Sequence, residues 1–341
     1  MSLPGESARY PLVLWNDCAI EAEMKRAVTM GCRGGTSNPP LILKAAKSDA
    51  HWAKRAADLG ADRSPKTAAR LLADEIRIAA ARKLMPVYTE TGGREGRLSV
   101  QVDPRNHEDV PGMVAEAREL FSLAPNLSVK IPLTAAGLIA MRQLLELGIW
   151  VTATVSFTTS QVLAVTQLYS DFLSEWRGDD PPGLFAVLMV GRVDDYLTAL
   201  NEERGLGVPG SVIAQAGVAV ARRTYKELRA RGLSGTLLLA APRGLHHITE
   251  FLTMDAIMTA GPAVRDLAYQ SPELLQPGSA PTKEAFETLR SAFPEFVQAY
   301  EPEGLSVEEF LTYGATQRTL AEFVAAQTGL EAFVSECAER F

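Results

Sequence analysis

Cysteine is scarce in this sequence, since 341 residues contain only three, Cys18, Cys32 and Cys337. An odd number of widely spaced cysteines excludes a disulfide framework and a cysteine-based zinc site, and is typical of a reducing compartment. Long apolar runs are also absent, because no stretch approaches the ~18 residues that a membrane-spanning helix needs. The N-terminal segment 1–11 has no apolar core of signal-peptide length. We therefore expect a soluble, cytoplasmic protein.

A surplus of positive charge is missing as well. The chain carries 34 Lys and Arg residues against 41 Asp and Glu residues, a formal net charge of −7. Proteins that bind nucleic acids usually carry clustered basic residues, so we expect no nucleic-acid partner and no membrane partner. The composition, 47% hydrophobic and 22% charged with a mean hydropathy of +0.01, is that of an ordinary globular protein. The length suffices for one large barrel or for two smaller domains.

Short apolar runs alternate with longer helical segments along the chain. The runs are rich in Val, Ile, Leu or Thr, and most are bounded by Gly or Pro, which predicts strands. The predicted strands are 11–17, 32–37, 97–103, 127–133, 150–157, 184–191, 235–242 and 254–260. Helical patterns include 135–147 and two in the insert after the second run, at about 40–59 and 64–84. Eight strands, each followed by helix, predict an α/β protein with a (β/α)8 barrel, a TIM barrel.

The rival architecture is an open, doubly wound sheet. Its cofactor-binding form carries G-x-G-x-x-G after the first strand, whereas this chain has WNDCAIE at that position, residues 15–21. Beyond about residue 276 the strand pattern stops, and helical patterns follow at 282–300 and 306–339. We expect a single barrel domain over 1–341, whose residues 276–341 form a helical C-terminal extension packed on the barrel.

Lys130 is the most informative ionisable residue of the predicted strands. In the run 127–133, LSVKIPL, the apolar residues share one face and Lys130 lies on the other, which predicts that it points into the barrel. A buried amine commonly has a lowered pKa, and a neutral amine can attack a carbonyl to form a Schiff base. The alternative is a structural lysine in a buried ion pair, with Asp17 as its partner. The alternation of residues leaves both open.

Other polar residues lie at or just beyond strand ends. In the fifth run, 150–157, the three hydroxyl-bearing residues lie on one face. In the third run, 97–103, the Gln101 side chain lies on the face opposite the apolar residues, which is the inward face. The residues concerned are Asp17, Thr36, Asn38, Gln101, Thr152, Thr154 and Ser156. Active sites of (β/α)8 barrels lie at the carboxyl ends of the strands, so we expect these side chains to meet at one site.

Two arginines, Arg192 and Arg243, follow the sixth and seventh runs. They are either ordinary surface arginines at helix starts or binders of an anionic group, since a guanidinium suits a phosphate. We favour a phosphate or another anionic group of the substrate. His246 and His247 follow closely, but adjacent histidines point in different directions on a helix. We therefore expect no metal site.

Several of these segments together resemble the transaldolase family. The stretch 127–161, LSVKIPLTAAGLIAMRQLLELGIWVTATVSFTTSQ, is similar to the segment that carries that family's Schiff-base lysine. GGTSNPPLILKAA, residues 34–46, looks like its T-T/S-N-P motif, and the arginines of VGR (190–192) and APR (241–243) match its two phosphate-binding arginines. QRTL, residues 317–320, is similar to part of its C-terminal helix.

The resemblance implies a class I aldolase-type barrel that moves a three-carbon dihydroxyacetone unit between sugar phosphates, with no metal and no organic cofactor. It implies Lys130 as the nucleophile, Asp17 as the proton-shuttling carboxylate and Thr154 as the holder of a catalytic water. Thr36 and Asn38 would contact the substrate, and Arg192 and Arg243 would bind its phosphate. A homodimer is a possible assembly of such a barrel.

The chain departs from the family pattern at several of these positions. Gln101 replaces the usual Glu of transaldolases, as it does in the aldolase members that act on fructose 6-phosphate. Thr152 replaces an Asn, Met189 an aromatic residue, and Val187 and Ala241 replace two serines near the arginines. Three functions stay open: a transaldolase-like transferase, a lyase of the fructose-6-phosphate aldolase type, and a binding or regulatory protein on the same barrel.

Overall fold

Eight parallel strands form a closed barrel in the computed structural model, which describes residues 10–340. Each strand pairs with the next one along the chain, and the first pairs with the last. The strands are β1 (Val13–Asp17), β2 (Gly35–Thr36), β3 (Leu98–Gln101), β4 (Leu127–Pro132), β5 (Val151–Thr154), β6 (Leu184–Leu188), β7 (Thr236–Ala240) and β8 (Ile257–Ala260). The predicted (β/α)8 barrel is confirmed, and each strand lies within its predicted run but is shorter.

Helices surround the barrel and extend beyond it. They are α1 (Glu21–Met30), α2 (Pro39–Lys47), α3 (Ala50–Gly60), α4 (Pro65–Glu90), α5 (Val110–Ser122), α6 (Ala135–Glu146), α7 (Thr159–Glu175), α8 (Val190–Arg204), α9 (Gly210–Ile213), α10 (Ala216–Arg231), α11 (Leu245–Phe251), α12 (Pro262–Gln270), α13 (Lys283–Ala292), α14 (Pro294–Tyr300) and α15 (Gly314–Arg340). Short 3-10 helices occupy Pro104–Asn106, Pro272–Leu274 and Val307–Glu309. None of the helices within residues 10–340 combines the length and apolar character that crossing a bilayer requires.

Two predicted helices are each divided by a local signal. The pattern 40–59 is two helices, α2 and α3, because the Asp49 side chain accepts a hydrogen bond from the His51 amide and caps the start of the second. The pattern 282–300 is also two helices, because Pro294 disfavours helical geometry at Phe293. The predicted helix 306–339 is a 3-10 turn followed by α15, and the helix predicted over 64–84 continues to Glu90.

The C-terminal helix α15 packs on α2, α3 and α4 and also contacts α8. A second apolar cluster lies between these helices and includes Ile42, Leu72 and Val334, which are 0–2% exposed. Gly60 allows the close approach, because a Cβ atom there would lie 3.1 Å from the Val334 side chain. The structure does not describe residues 1–9 and 341. Most of the segment 1–11, in which we expect no signal peptide, therefore lies outside the described residues. The assignment of 1–341 to one domain stays a prediction.

The strand register places the inward-facing residues beside one another. Lys130 on β4 pairs with Gln101 on β3 and with Thr152 on β5. One layer further toward the amino ends, the Ser99 and Ser128 hydroxyl oxygens lie 2.9 Å apart inside the barrel. Because side chains alternate along a strand, Lys130 and Ser128 share the interior face of β4. The inward direction predicted for Lys130 is therefore what the structure shows.

Candidate active site

A cavity of about 470 Å³ opens at the carboxyl ends of the strands. Seven of the ten predicted site residues line it: Asp17, Thr36, Asn38, Lys130, Thr154, Arg192 and Arg243. They come from the ends of β1, β2, β4 and β5 and from the segments that follow β2, β6 and β7. The closed barrel brings these strand ends to one face, which is where barrel enzymes carry their active sites.

Lys130 lies at the base of the cavity and is only 6% exposed. Its Nζ donates a hydrogen bond to the backbone carbonyl oxygen of Ser37 at 3.2 Å. Burial lowers the pKa of Lys130 from 10.5 to about 8; the negative charge of Asp17 opposes this shift and the positive charge of Arg192 adds to it. A pKa near 8 leaves an appreciable fraction of neutral, nucleophilic amine near neutral pH.

Asp17 ends β1 and faces the same cavity. Its Oδ1 accepts a hydrogen bond of 2.6 Å from the Thr36 hydroxyl, whose oxygen lies 2.7 Å from that of Thr259. Since Thr36 has one hydroxyl proton and gives it to Asp17, Thr259 is the donor in the second bond. Burial raises the pKa of Asp17, while Lys130 and the Thr36 hydrogen bond oppose the rise.

Asp17 and Lys130 interact through space without direct contact. Within residues 10–340 they form no ion pair, although each shifts the pKa of the other. The alternative interpretation of Lys130, a structural lysine locked in an ion pair with Asp17, is therefore wrong. Both groups remain available on the wall of the cavity.

Thr154 and Gln101 carry buried polar atoms without a protein partner among the described residues. The Thr154 hydroxyl lines the cavity, whereas Gln101 does not line it and is 1% exposed, with both its amide oxygen and its amide nitrogen unpaired. Buried polar groups are nearly always hydrogen-bonded. Val155, directly after Thr154, has a φ of 56°, a strained conformation for a β-branched residue. Such strain is commonly found at functional sites.

Thr152 and Ser156 do not reach the cavity, so their prediction as substrate-contacting residues is corrected. The Thr152 hydroxyl oxygen lies 2.9 Å from that of Ser99 and 3.1 Å from that of Ser128, in the layer below. The Ser156 hydroxyl donates to the Val187 carbonyl oxygen at 2.5 Å. Alternation along a strand indicates the face on which a side chain lies, but not its depth among the interior layers of the barrel.

Both predicted arginines reach the cavity, and each is paired with a carboxylate. Arg192, in the first turn of α8, binds Glu322 of α15 through two hydrogen bonds of 2.5 and 2.8 Å. Arg243, after β7, binds Asp195 of α8, with Nε at 2.9 Å from Oδ1. The Arg192 contact lowers the pKa of Glu322. A guanidinium already bound to a carboxylate can exchange it for a phosphate, which has the same bidentate geometry.

Lys44 is a cavity residue that the sequence reasoning missed. It lies on α2, one turn after Leu41, and both residues line the cavity. Within residues 10–340 Lys44 has no ion-pair partner, unlike the two arginines. The helical spacing from Asn38, which caps α2 through a 3.0 Å bond from the Leu41 amide, is the signal that could have found it.

Part of the cavity wall is apolar. Val187, Met189 and Ala241, three of the positions at which the chain departs from the family pattern, line the cavity and offer no side-chain hydroxyl. The cationic side chains available to an anionic group near the cavity mouth are therefore the two arginines and Lys44.

One group of possible metal ligands lies beside Arg243. One ligand atom each from Asp194, His246 and His247 falls within 4.8 Å of the others. His247 Nδ1 accepts a hydrogen bond from the Arg243 amide at 3.0 Å, so the single proton of the neutral imidazole is on Nε2, which faces Asp194. A protonated Nε2 is not a metal ligand, and this arrangement does not fit a metal ion.

The fold and the site together define a class: a (β/α)8 barrel with a buried lysine, a carboxylate and an arginine pair around one cavity at the carboxyl ends of its strands. The family model for transaldolase/fructose-6-phosphate aldolase matches residues 14–333. The chain belongs to this family, and the resemblance in its motifs is confirmed.

Curated relatives agree with this assignment. The chain is 32% identical to "Transaldolase 1" of Streptomyces avermitilis over 256 residues, covering 73% of this chain and 67% of that protein. It is 35% identical to "Transaldolase 1" of Streptomyces coelicolor over 204 residues, 57% of this chain and 52% of that protein. It is 30% identical to "Transaldolase" of Thiobacillus denitrificans over 298 residues, 83% and 82% of the two chains.

Proposed function

We propose that this protein is a transaldolase-type transferase that moves a three-carbon dihydroxyacetone unit between sugar phosphates through a Schiff base on Lys130. The observation that carries the proposal is the environment of the amine. Lys130 is buried at the base of a cavity, has a pKa lowered to about 8, and is hydrogen-bonded to a neutral carbonyl group. A buried amine of lowered pKa is the usual nucleophile for condensation with a carbonyl substrate.

The proposed reaction starts with attack of the Lys130 amine on the keto carbon of the donor sugar. Loss of water gives a protonated imine, which draws electrons from the C3–C4 bond as that bond breaks. Asp17 takes the proton from the C4 hydroxyl, an aldehyde leaves, and an enamine stays on the lysine. The enamine carbon then attacks the aldehyde of an acceptor, Asp17 returns the proton, and water releases the product and the free amine.

The other cavity residues have supporting roles in this proposal. Thr154 would hold the water that adds to the imine, and the unpaired Gln101 amide, next to Lys130 in the strand register, would face the amine from the neighbouring strand. Asn38 uses its side-chain oxygen to cap α2, which leaves its NH₂ group to contact a sugar hydroxyl. Arg192 and Arg243 would bind the substrate phosphate in place of Glu322 and Asp195.

Trapping with borohydride tests the proposal directly. Borohydride reduces an imine to a stable amine, so incubation with fructose 6-phosphate should attach a reduced three-carbon unit to the peptide that contains Lys130. We expect no adduct in Lys130→Met and a normal adduct in Lys54→Met, because Lys54 is exposed on α3, outside the cavity. Absence of an adduct with every ketose tested would support the binding-protein alternative instead.

A second assay separates transfer from simple cleavage. Gln101 has no ionisable proton, and the family members that act as lyases carry Gln at this position. For a transferase we expect aldehyde release to stop after one equivalent per active site and to resume when an acceptor aldehyde is added. Continuous release of aldehyde and free dihydroxyacetone without an acceptor would instead identify a lyase.

A further inference from the structure

His247 links α8 to the backbone of Arg243 through one buried hydrogen bond and one close contact with a carboxylate, whose two atoms, His247 Nε2 and Asp194 Oδ2, have no hydrogen-bond partner among the described residues. It lies on α11 with 0% exposure, and its Nδ1 accepts a hydrogen bond of 3.0 Å from the backbone amide of Arg243. Its Nε2 lies 3.0 Å from Asp194 Oδ2, and Asp194 Oδ1 accepts a 2.8 Å bond from the Gly217 amide. The chain of contacts therefore runs from α10 through α8 to the backbone of Arg243.

Helix α8 holds Arg243 at two points. Asp195 binds its guanidinium directly, and the preceding residue, Asp194, reaches its backbone amide through His247. Arg192 lies on the same first turn of this helix. The spacing between the two cavity arginines is thus set by α8 and by the loop after β7.

The loop that carries Arg243 has a strained backbone that needs such support. Ala241 has a φ of 59°, an uncommon value for a residue with a Cβ atom. Its carbonyl oxygen packs so closely on α8 that a Cβ atom at Gly191 would lie 2.1 Å away. Strained conformations persist only where surrounding contacts fix them. The Arg243 guanidinium donates to the Ala241 carbonyl oxygen at 3.0 Å, and the hydrogen bond to His247 fixes the backbone amide of Arg243 itself.

We propose that His247, oriented by Asp194, is a positioning residue that fixes Arg243 for binding the phosphate group of the substrate. The inference rests on the proposed function, in which Arg243 binds that phosphate. The negative charge of Asp194, 3.0 Å from Nε2, favours the tautomer with the proton on that nitrogen, and only this tautomer presents a lone pair on Nδ1 to the Arg243 amide. His247 contacts neither the cavity nor the reacting atoms.

The competing explanation is that His247 only fills space. Its ring lies 4.2 Å from that of His246 and stacks on Phe251, so the side chain also packs in an apolar environment. Replacing a residue that only packs would lower the stability of the fold and would change the binding of all substrates to the same extent. A positioning residue would affect the binding of phosphorylated ligands selectively.

Two conservative variants distinguish these explanations. The Asn side-chain oxygen in His247→Asn lies near the position of Nδ1 and can accept the bond from Arg243. The Gln amide in His247→Gln reaches the position of Nε2 beside Asp194, and leaves the Arg243 amide without an acceptor. We expect the KM for fructose 6-phosphate and the Kd for inorganic phosphate to rise about tenfold in His247→Gln, the effect of one lost hydrogen bond. In His247→Asn both should stay within about threefold of the original protein, with kcat little changed in either variant.

Borohydride trapping with unphosphorylated dihydroxyacetone provides the control ligand. Its half-saturating concentration should be the same in both variants, because that ligand does not use Arg243. Equal effects of Asn and Gln, or a parallel change for both ligands, would overturn the positioning role. The original protein could form no lysine adduct while His247→Gln still bound inorganic phosphate more weakly than His247→Asn. In that case the proposed function would fail and the role of His247 would stand.

A spectroscopic measurement covers the case in which a variant does not fold. The ¹⁵N shifts of the His247 ring in the unmodified protein should show the tautomer with the proton on Nε2 and a hydrogen-bonded Nδ1. A proton on Nδ1 would overturn the proposal without any mutation, because that nitrogen could not then accept a bond from Arg243.

Discussion

The Nζ of Lys130 donates a hydrogen bond to the carbonyl oxygen of Ser37, 3.2 Å away, between β4 and the residue that follows β2. A backbone carbonyl accepts this bond from either the ammonium or the neutral amine, so it orients Nζ without fixing its charge. A carboxylate in the same place would stabilise the ammonium form and raise the pKa. The lysine is thereby held in position while its proton remains easy to remove.

We expect imine formation to depend on pH through the pKa of Lys130. Below about 8 the neutral fraction of the amine, and with it the rate of borohydride trapping at low ketose concentration, should fall about tenfold per pH unit. Asp17→Asn should move this inflection to lower pH, because the charge of Asp17 raises the pKa of Lys130. Asp58→Asn, at an exposed position on α3, is the control and should leave the inflection unchanged. An inflection that stays in place in Asp17→Asn would contradict the coupling.

Lys130→Met should inactivate the protein and also stabilise it. The pKa of Lys130 is lower in the folded protein, about 8, than the 10.5 of an unperturbed lysine, so the unfolded chain binds more protons between these two pH values. Lys130 therefore contributes stability above pH 10.5 that is lost as the pH falls through about 8. At pH 7 the substitution should raise the free energy of unfolding by roughly 3 kcal/mol. Urea titrations at pH 7 and pH 9.5 should show a smaller gain at the higher pH, and no gain for Lys54→Met at either.

Arg243→Ala should mainly weaken the binding of phosphorylated substrates. Loss of a charge-assisted contact of ~1.5–3 kcal/mol corresponds to a KM about 10–100 times higher. The kcat should change only a few-fold, and trapping with dihydroxyacetone should be unaffected. Arg229→Ala, at an exposed position near the end of α10, serves as the control in the same kinetic assay. An unchanged KM would place the anion-binding site elsewhere.

Glu322→Gln tests whether the substrate phosphate competes with a carboxylate of α15. Glu322 binds Arg192 in the ligand-free protein, so its neutralisation should leave the guanidinium freer and lower the KM for fructose 6-phosphate about two- to five-fold. The loss of stability should be under about 1 kcal/mol, because such partly exposed pairs contribute little. Glu203→Gln breaks a similar pair, with Arg318, and should not change the KM. A higher KM in Glu322→Gln would mean that Glu322 holds Arg192 in its binding position.

Lys44→Met should raise the KM for phosphorylated substrates by a few-fold. Lys44 is a cation of the cavity wall without an ion-pair partner among residues 10–340, and long-range attraction to a dianionic substrate is screened by salt. The difference between the variant and the original protein should therefore shrink as ionic strength rises. Lys47→Met, three residues further along the same helix and packed over Phe333, is the matched control. An effect that does not depend on salt would argue for direct contact.

Much of the barrel could be predicted because its strands are buried on both faces. Such strands appear in a sequence as short apolar runs between turn residues, and all eight were located in this way. The predicted runs extend beyond the strands, because a residue such as Ser156 continues the polar alternation after the left-handed backbone of Val155 has ended the strand. The division of the pattern 40–59 into α2 and α3 depended on a cap at Asp49, which overall helical periodicity does not register.

The sequence by itself determined that Lys130 faces inward and that Asp17, Thr154 and the two arginines lie at strand ends, because alternation and strand order are local properties of the chain. Only the tertiary structure decided which inward residues reach the cavity: Thr152 pairs beside Lys130, but its hydroxyl contacts the Ser99 and Ser128 hydroxyls, which lie deeper in the barrel, instead of the cavity. It also decided the partners of the arginines, since Glu322 lies 130 residues from Arg192 along the chain. Depth in a barrel and contacts across the sequence depend on shear and on helix packing, which no local pattern encodes.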